Sequence, residues 1–473
     1  MSVRTRLEAA GQGHLADALE RLDGDARARL EAEIAALDLD LIGRLVAGLV
    51  ADDDHGVSGA IAPPDPAALI ALPRDAADEE RDRRARAAGE ELLRTGGVAA
   101  VLLAGGQGTR LGYDGPKGLY PFAPLSGRTL FSYHAAKIAA LRARYGAALP
   151  WYVLTSPAND APTREAFAAA GDFGLEPGSV RLVVQGTLPA VDRGTGEILL
   201  AEPGHLALSP DGHGGLLSAL AASGALDEMT REGVRTIFTF QVDNPLARVC
   251  RPEVLGHHVL AGADMASVVV RKISAEEKMG VIARVDGRTG VVEYSDLPDA
   301  LARERDADGE LVYWPGSIAV HCIEVDFARR LTEGGLRLPY HRAIKKVPYV
   351  DAEGRRVEPQ EPNAVKFETF LFDALPSAAR TVTVEAARGD EFSPIKNADG
   401  ADSPTTARRD LNRLYARWLE AAGVAVPRDA DGEPVDLEID PRVALEGPDL
   451  AANLPPGFVV EGPTVISPPA ATR

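Results

Sequence analysis

The sequence predicts an α/β protein built on a mostly parallel sheet. From Val98 to about residue 385, short apolar runs rich in β-branched residues or Leu alternate with segments of helical periodicity. Strands that are apolar along their whole length are buried on both faces, and alternating helices supply the covering layers. With 473 residues, the chain is long enough for more than one domain.

Helices are predicted before the sheet. Leu and Ile recur at helical spacing through residues 1–50, and a proline-rich break follows at 62–75. The next segment is highly charged, and two glycines at its end make a good helix stop. We therefore expect a helical N-terminal domain over residues 1–95.

The central region, residues 96–385, is expected to form the main domain. Strands are predicted at 98–105, 151–156, 180–185, 235–244 and 265–271, with helices near 129–145, 163–170, 215–224 and 251–261. Residues 279–294 alternate instead as an antiparallel hairpin, with its turn at Asp286-Gly287 or Thr289-Gly290. Short strands, one helix and loops rich in Pro and Gly then predict a small β-rich domain over 386–473.

Composition and charge exclude several classes of protein. The formal net charge is −19, so the chain would repel a nucleic-acid backbone at long range. No apolar run approaches the roughly 18–20 residues of a membrane span, and the N-terminus lacks a signal peptide's apolar segment. Only Cys250 and Cys322 are present, which argues against disulfides and thiolate metal sites. We expect a cytoplasmic protein without nucleic-acid or membrane partners, and the oligomeric state stays open.

The stretch "LLAGGQGTRLGYDGPKG" at residues 102–118 is the clearest functional signal. It is not a dinucleotide fingerprint, because the sixth position counted from Gly106 is Leu111, and it is not a Walker A loop. The failed dinucleotide fingerprint also argues against an NAD-dependent dehydrogenase, which the alternation of strands and helices would otherwise fit.

The residue types of the stretch 102–118 nevertheless suit the binding of a phosphate chain. Gly105, Gly106 and Gly108 carry no side chains, so backbone N–H groups can approach a nucleotide, and they permit positive φ where the chain turns. Arg110 supplies a planar fork for phosphate oxygens, and Lys117 follows a stiffening proline as a point charge. An ordinary glycine-rich turn is the alternative, and the two cations favour phosphate binding.

This stretch resembles the signature of the eukaryote-type UDP-sugar pyrophosphorylases, the UDPGP type 1 family. Further segments resemble that family in the same order: "QGTLPAVD" (185–192), "SPDGHGGLLSAL" (209–220), "FQVDNPL" (240–246), "GVVEYSDL" (290–297), "PNAVKFETFLFD" (362–373) and "EFSPIKNADG" (391–400). The resemblance is greatest to the UDP-N-acetylhexosamine pyrophosphorylase branch.

The resemblance implies a Rossmann-like, mostly parallel mixed sheet of the nucleotide-diphospho-sugar transferase (GT-A-like) type. It implies uridylyl transfer from UTP to a sugar 1-phosphate, with release of pyrophosphate and dependence on Mg²⁺ or Mn²⁺. It assigns catalysis to Arg110, Lys117, Lys366 and Lys396, and the metal to Asp243. It assigns nucleotide contacts to Leu103, Ala104, Gly105, Gly106, Gly108, Thr109, Gln185, Gly212 and His213. It assigns substrate contacts to Asn244, Gly280, Glu293, Ser317, Phe370 and Phe372.

The chemistry of several of these residues agrees with the assignments. The carboxamide of Gln185 can donate and accept, which suits the edge of uracil, although it could also be an ordinary strand-end residue. Asp243 follows a buried strand, where a carboxylate suits Mg²⁺; a helix cap before Pro245 is the alternative. For Asn244, its residue type and position favour a structural role over the substrate contact that the resemblance implies.

Other candidates keep their alternatives open. Lys366 and Lys396 could neutralise pyrophosphate or simply be solvated, and Phe370 and Phe372 could belong to the core as alternate residues on one strand face. For His213, a metal role is rejected because no second His stands at ligand spacing. We expect its neighbouring glycines to approach the nucleoside and its imidazole to lie near the sugar.

The implied reaction needs no general base, because the attacking phosphate oxygen is already anionic at neutral pH. Catalysis would come from positioning and charge neutralisation at the α-phosphorus. This is consistent with the sequence, in which no convincing Ser/His/Asp or Cys/His constellation is found. A regulator that has lost catalysis is disfavoured because Lys117 and Asp243 are both present.

The motifs that concern the sugar point in two directions. Several motifs favour UDP-N-acetylglucosamine synthesis. Two positions depart from that branch: His213 replaces its usual Asn, and Ser317 stands where the branch has an Asn that contacts the sugar. UDP-glucose synthesis or a broad UDP-sugar activity is therefore the alternative.

Overall fold

The computed structural model describes residues 2–50 and 59–468. The chain forms two compact units, each assembled from separate segments. The described residues of the first lie within Met1–Ser58, Gln185–Ala219 and Gly334–Asp373, and those of the second within Gly59–Val184, Leu220–Glu333 and Ala374–Arg473. The division into three contiguous domains at residues 95 and 385 stays a prediction.

The regular elements alternate along the chain. The helices are α1 (Val3–Ala9), α2 (Gly13–Arg21), α3 (Gly24–Ala36), α4 (Leu39–Leu45), α5 (Ala76–Arg94), α6 (Leu130–Tyr145), α7 (Asp160–Ala169), α8 (Gly215–Ala222), α9 (Ala225–Arg231), α10 (Pro252–Ala261), α11 (Asp299–Ala302), α12 (Val325–Thr332), α13 (Arg388–Glu391), α14 (Pro404–Ala421) and α15 (Gly447–Asn453). The strands are β1 (Ile61–Ala62), β2 (Leu69–Ile70), β3 (Val98–Leu103), β4 (Trp151–Thr155), β5 (Val180–Val184), β6 (Thr187–Pro189), β7 (Val191–Asp192), β8 (Leu200–Glu202), β9 (His205–Leu206), β10 (Leu208–Pro210), β11 (Thr236–Gln241), β12 (Met265–Arg271), β13 (Val281–Val285), β14 (Arg288–Val292), β15 (Pro315–Glu324), β16 (Tyr340–Lys345), β17 (Tyr349–Val350), β18 (Arg356–Val357), β19 (Ala364–Thr369), β20 (Thr381–Glu385), β21 (Leu437–Ile439) and β22 (Thr464–Ile466).

The second unit is organised around a mixed, mainly parallel sheet, which confirms the predicted fold class. Its strands run in the order β2-β20-β12-β15-β11-β3-β4-β5. Only β15 along this path is antiparallel to its neighbours, and the pairs on either side of it are parallel. Every residue of β3 and β4 is buried, as expected for strands covered on both faces.

The pairing of β3 with β11 sets the position of the loops that follow them. The two strands are parallel and in register, with Leu103 opposite Gln241. The amide of Val242 donates to the carbonyl of Leu103 at 3.1 Å and extends this pairing by one bond. The segment after β11 therefore begins beside the glycine-rich loop after β3.

The predicted hairpin at residues 279–294 is confirmed as β13 and β14. Its turn is Asp286-Gly287, where φ is 49° and 77° respectively. Two consecutive left-handed residues are the signature of the turn that matches the twist of paired strands. Thr289-Gly290, the other candidate, lies within β14.

The first unit has its own apolar core. Helices α1–α4 bury Leu7, Leu15, Leu30 and Ile42 in a cluster with Val191, Ile198, Leu206, Val365 and Phe367. A small antiparallel sheet in the order β16-β19-β7 carries some of these residues. The helical N-terminal region that the sequence predicts is therefore present, and it packs with segments from later in the chain.

The prediction of a β-rich C-terminal region is wrong. After residue 385, the only strands of the described chain are the three-residue β21 and β22, whereas α14 alone spans 18 residues. A capping box between Ser403 and Thr406 starts α14, with Pro404 in its first turn. The helix then buries Leu411 and Leu414 in the core. The packing of this amphipathic face, and not strand pairing, therefore organises the region, although loops rich in Pro and Gly surround it.

Helices α5 and α10 meet through two glycines. A Cβ atom on Gly256 would overlap the carbonyl of Ala85, and one on Gly89 would overlap the carbonyl of Pro252. Neither glycine has a positive φ, so the close approach of the two backbones, and not conformation, requires them. This contact fixes α10 on the side of the sheet that it covers.

We expect Gly256→Ala to destabilise the protein, because the added methyl group must separate two backbones. Overpacking of this kind costs about 1–3 kcal/mol. Thermal unfolding followed by circular dichroism should show a lower midpoint. The control is Gly43→Ala on α4, where a Cβ meets no atom within 4 Å, so the better helix propensity of Ala should leave the midpoint unchanged or higher. Equal effects of the two substitutions would contradict this account.

Candidate active site

The loop after β3 folds back on itself through glycines other than those expected. Positive φ occurs at Gly112 (67°) and Gly115 (145°), and not at Gly105, Gly106 or Gly108, so that expectation is wrong. Gly108 is needed for space, because a Cβ there would lie 2.8 Å from the ring of Tyr113. The loop closes where the amide of Gly108 donates to the carbonyl of Gly115 at 2.9 Å.

Gly106 leaves open space beside Lys117. A Cβ on Gly106 would find, as its one neighbour within 4 Å, the Cε atom of Lys117 at 4.0 Å. Among the described residues, the amides of Gly105 and Gly106 have no hydrogen-bond acceptor. Open backbone amides beside a lysine form a concave site suited to an anion. Leu103 and Ala104, which precede them, are buried at the strand end.

Two buried side chains from the end of β4 hold this loop by its carbonyl oxygens. Asn159 donates from Nδ2 to the carbonyls of Ala104 at 2.9 Å and Gly106 at 3.2 Å. Ser156 donates from Oγ to the carbonyl of Gly105 at 2.8 Å, and its amide donates to Oδ1 of Asn159. Since the carbonyls of three successive residues are bound on this side, the amides of Gly105 and Gly106 stay available for a ligand.

Lys117 and Asp243 form an ion pair at the carboxyl ends of the two adjacent strands. Nζ of Lys117 lies 3.0 Å from Oδ2 of Asp243, and the two side chains are 16% and 18% exposed. Asp243 lies two residues beyond β11, at the sheet edge where open α/β proteins bind ligands. It caps no helix, since the next helix begins at Pro252. Lys117 follows Pro116 into a short 3₁₀ turn, where Gly118 packs on the ring of Phe131.

Residues 391–395 are docked on the turn that carries Asp243. Asn244, which is buried, donates from Nδ2 to the carbonyl of Glu391 at 2.7 Å and accepts at Oδ1 from the amide of Ser393. The amide of Ile395 donates to the carbonyl of Asp243 at 2.7 Å. The amide group of Asn244 is therefore used within the protein, and its predicted substrate contact stays a prediction.

The predicted cations differ in exposure. Lys396 follows the docked segment, is 45% exposed and lies 3.4 Å from Oδ2 of Asp402. Arg110 is exposed, as is Thr109, and Arg110 forms no ion pair with the described residues. Lys366 lies in the first unit on β19, opposite Ala343 and on the face shared with Glu368.

Three predicted substrate contacts of the second unit lie together. The amide of Ser317 donates to the carbonyl of Gly280 at 2.9 Å, which joins β15 to the start of the hairpin. A Cβ on Gly280 would lie 3.0 Å from Oε1 of Glu293. The cluster therefore places the carboxylate of Glu293 and the backbone of Ser317 beside Gly280, and its contact with substrate stays a prediction.

In the first unit, Gln185 is tied to the loop that contains Gly212. Its Nε2 donates to the carbonyl of Gly212 at 2.6 Å. Asp211 lies beside it, and burial raises the pKa of this carboxyl. Cβ atoms on Gly212 and Gly214 would strike the backbone of Thr369, so these glycines serve packing within the protein. Their approach to a nucleoside, which the sequence predicts, stays a prediction.

His213 belongs to an aromatic cluster with Phe370 and Phe372. Its ring lies 5.4 Å and 5.5 Å from theirs, and the two phenyl rings stack at 5.1 Å. Nδ1 of His213 accepts from the amide of Leu371 at 3.1 Å, and burial lowers the pKa of His213 to about 4. The imidazole is therefore neutral, with its proton on Nε2. Phe370 and Phe372 follow β19 and lie on no common strand.

Sequence reasoning missed several residues of this architecture. Ser156 and Asn159 follow a predicted strand, and this position alone could have drawn attention to them. His341 stacks on Phe370 at 4.7 Å and lies 2.7 Å from Asp373, but no spacing in the sequence links it to the cluster. In the sequence, Asp211 stands out only as part of the glycine-rich segment 209–220.

Residues 2–50 and 59–468 contain neither a helix suited to a membrane nor a cluster of metal-binding side chains. No helix there has both the length and the apolar character that crossing a membrane requires. No group of three or more His, Cys, Asp or Glu side chains there is arranged to hold a metal ion.

Comparison with known proteins gives consistent matches over most of the chain. Residues 69–403 match the family described as UTP–glucose-1-phosphate uridylyltransferase (UDPGP). The human UDP-N-acetylhexosamine pyrophosphorylase-like protein 1 is 38% identical over 96% of this chain and 94% of its own length. The UDP-N-acetylglucosamine pyrophosphorylase of Saccharomyces cerevisiae is 36% identical over 77% of each chain.

A solved structure extends this likeness to the fold. It is that of the uridine diphosphate N-acetylglucosamine pyrophosphorylase from Trypanosoma brucei in complex with an inhibitor. The TM-score is 0.81 with 28% identity, over 99% of each chain. The predicted nucleotide-diphospho-sugar transferase type of fold is confirmed.

We expect Asn159→Leu to weaken UTP binding, because the carbonyl of Ala104 loses its side-chain donor and the carbonyl of Gly106 keeps only the amide of Lys117, so the loop is free to rearrange. Leaving a buried acceptor unpaired costs about 1–3 kcal/mol, and a loss of about 1.4 kcal/mol in binding raises Kd about tenfold. Titration calorimetry measures this. The control is Asn453→Leu. Asn453 is the last residue of α15, and its Nδ2 donates a similar bond to the carbonyl of Val443. Wild-type UTP affinity in a folded Asn159→Leu variant would contradict the anchoring role.

Proposed function

The chain belongs to the UTP–glucose-1-phosphate uridylyltransferase family, and within it we propose the synthesis of UDP-N-acetylglucosamine. The protein is a nucleotidyltransferase that uses UTP and a sugar 1-phosphate. In the proposed reaction, a phosphate oxygen of N-acetylglucosamine 1-phosphate attacks the α-phosphorus of UTP. The bond from the α-phosphorus to the bridging oxygen breaks, and pyrophosphate leaves with that oxygen.

The observation that carries the catalytic part of the proposal is the Lys117–Asp243 pair beside the open amides of Gly105 and Gly106. The loop amides and Arg110 would bind the phosphate chain, and Lys117 would neutralise charge that develops at the α-phosphorus. Lys366 and Lys396 would contact the phosphates that become pyrophosphate. A proton acceptor is unnecessary, because the nucleophile is an anion.

Mg²⁺ is the proposed metal, with Mn²⁺ as an alternative. The residues fit an ion that is shared with the substrate. Asp243 supplies one carboxylate, and the described chain contains no group of three or more metal-binding side chains that would enclose an ion. Mg²⁺ in nucleotide sites is commonly held in this way, by one or two carboxylates together with substrate phosphates and water. When bound, the ion would supply charge neutralisation at the phosphates.

The nucleoside and sugar contacts are proposed from the remaining residues. The carbonyl end of Gln185 is suited to accept the uracil N–H, since its Nε2 is engaged with Gly212. The neutral His213, Phe370 and Phe372 offer an apolar surface with one N–H donor. Glu293 and Ser317 offer oxygen atoms for sugar hydroxyls.

N-acetylglucosamine is favoured as the sugar by the names of the relatives from yeast and Trypanosoma brucei. A second candidate, glucose 1-phosphate or a broad sugar range, is favoured by His213 and Ser317. The serine side chain is shorter than the asparagine of the N-acetylhexosamine branch and cannot reach as far towards an acyl group.

We expect the purified enzyme to release pyrophosphate from UTP most efficiently with N-acetylglucosamine 1-phosphate. The panel should contain the 1-phosphates of N-acetylglucosamine, N-acetylgalactosamine, glucose and galactose, each with Mg²⁺, with Mn²⁺ and with a chelator. A coupled pyrophosphate assay gives kcat/KM for each. Turnover with glucose 1-phosphate but not with N-acetylglucosamine 1-phosphate would reverse the choice of sugar, and turnover in the chelator would contradict the metal.

We expect Lys117→Ala to reduce kcat by about 10²–10³, by analogy with loss of one transition-state hydrogen-bond donor. UTP binding should persist in this variant, because the loop amides and Arg110 remain. Steady-state kinetics and calorimetric titration with UTP separate the two effects. Lys346→Ala, at an exposed position in the first unit, is the control. Complete loss of UTP binding would make Lys117 a binding residue.

A further inference from the structure

The turn that carries Asp243, residues 242–247, is held by side chains of helix α6. His134 lies with Nε2 3.1 Å from the carbonyl oxygen of Val242, directly before Asp243. Lys137, one helical turn later, donates from Nζ to the carbonyls of Pro245 at 2.6 Å and Ala247 at 2.7 Å. These donors bind the turn on both sides of the aspartate.

Lys137 is an unusual residue to find in this position. Its side chain is 7% exposed, and burial lowers the pKa of Lys137 to about 7. A buried ammonium group is costly unless its hydrogen-bond needs are met, and here two carbonyls and the ring face of Tyr133 at 4.9 Å meet them. His134 is fully buried as well, and burial lowers its pKa to about 3, so it donates as a neutral imidazole.

The turn has little else to define its conformation. Residues 242–247 form no helix or strand, and within the turn the amide of Ala247 donates to the carbonyl of Asn244 at 3.1 Å. The carbonyls of Val242, Asp243, Pro245 and Ala247 depend on donors from other segments. On the side away from α6, Ile395 and Asn244 connect the turn to residues 391–395. The direction of the Asp243 carboxylate towards Lys117 is therefore fixed by α6 on one side and by this segment on the other.

We propose that Lys137 is a positioning residue for uridylyl transfer, whose ammonium group fixes the 242–247 turn and so holds the carboxylate of Asp243 against Lys117. The inference rests on the proposed function, in which Asp243 acts at the reacting phosphates. Lys137 itself touches neither Lys117 nor Asp243, so its effect on turnover passes through the backbone of the turn.

Lys137→Met tests this, because it keeps the apolar stem and removes the donors. We expect kcat to fall about 10–100-fold, the range for misplacement of a catalytic group by a change outside the reacting centre. The KM for UTP should change by less than about threefold, because Asp243 is required for the reacting arrangement more than for nucleotide binding.

A double-mutant cycle separates positioning from general damage. In the Asp243→Asn background, Lys137→Met should produce little further loss of kcat, since the carboxylate that it positions is already absent. Radiolabelled UTP keeps the slow variants measurable. If Lys137→Met does not fold by circular dichroism, the same cycle uses Lys137→Gln, which keeps a donor for one of the two carbonyls.

Lys272→Met is the matched control. Lys272 is also buried, at 8% exposure, and Nζ donates to the carbonyl of Ala275 at 3.2 Å, away from the turn. We expect its kcat to stay within about twofold of wild type even where thermal stability falls.

The outcomes distinguish the inference from the function beneath it. Wild-type kcat in Lys137→Met, or the same fold loss with and without the carboxylate of Asp243, would overturn the positioning role alone. Wild-type kcat in Asp243→Asn would overturn both the positioning role and the proposed role of Asp243. A large loss in the wild-type background that disappears in Asp243→Asn supports the inference.

Discussion

The ion pair between Lys117 and Asp243 is the interaction around which the proposed site in the second unit is arranged. Each residue follows a buried parallel strand, and the two strands are neighbours in register. An attraction across 3.0 Å between partly buried charges is stronger than the same pair would be in water, because less solvent screens it. It brings a glycine-rich loop, whose only regular structure is two short 3₁₀ turns, and an irregular turn to a defined separation.

Much of the surrounding structure keeps these two segments in place. Ser156 and Asn159 bind the carbonyls of the loop, and His134 and Lys137 bind the carbonyls of the turn. Each donor is buried, so the loss of one would leave an oxygen without water as a substitute. The sheet supplies the approximate placement of the two segments, and these hydrogen bonds supply the finer orientation.

The sequence was sufficient for the sheet and for the charged pair. The apolar strands, the helices α6, α7, α8 and α10, and the hairpin were predicted because local periodicity and turn chemistry determine them. Lys117 and Asp243 were found through a loop motif and a strand end. Asn159 and Lys137 were not found, because a single polar residue on or beside a helix has no local signal. Their roles depend on which backbone the fold brings opposite them.

The glycines show even more clearly that a role set by tertiary contacts cannot be predicted from the sequence. In the loop after β3, the sequence indicated glycine-rich backbone but not which residues turn and which lie open, and the left-handed positions proved to be Gly112 and Gly115. Gly212 and Gly214 are predicted to lie beside a ligand, which stays a prediction, and the structure adds that a Cβ atom on either would meet the backbone of Thr369. The absence of a side chain at a glycine indicates that another group approaches its backbone closely, and only the tertiary structure identifies that group.

The choice of donors also fits the overall charge of the chain. With 70 acidic and 51 basic residues, the protein repels a nucleoside triphosphate at long range. Further lysines at the site would attract the nucleotide, but they would also form pairs with the abundant carboxylates, as Lys396 does with Asp402. Backbone amides carry no net charge and need no counterion. A loop of open amides with a few fixed cations can therefore hold phosphate groups where a flexible basic surface on so acidic a protein would neutralise itself.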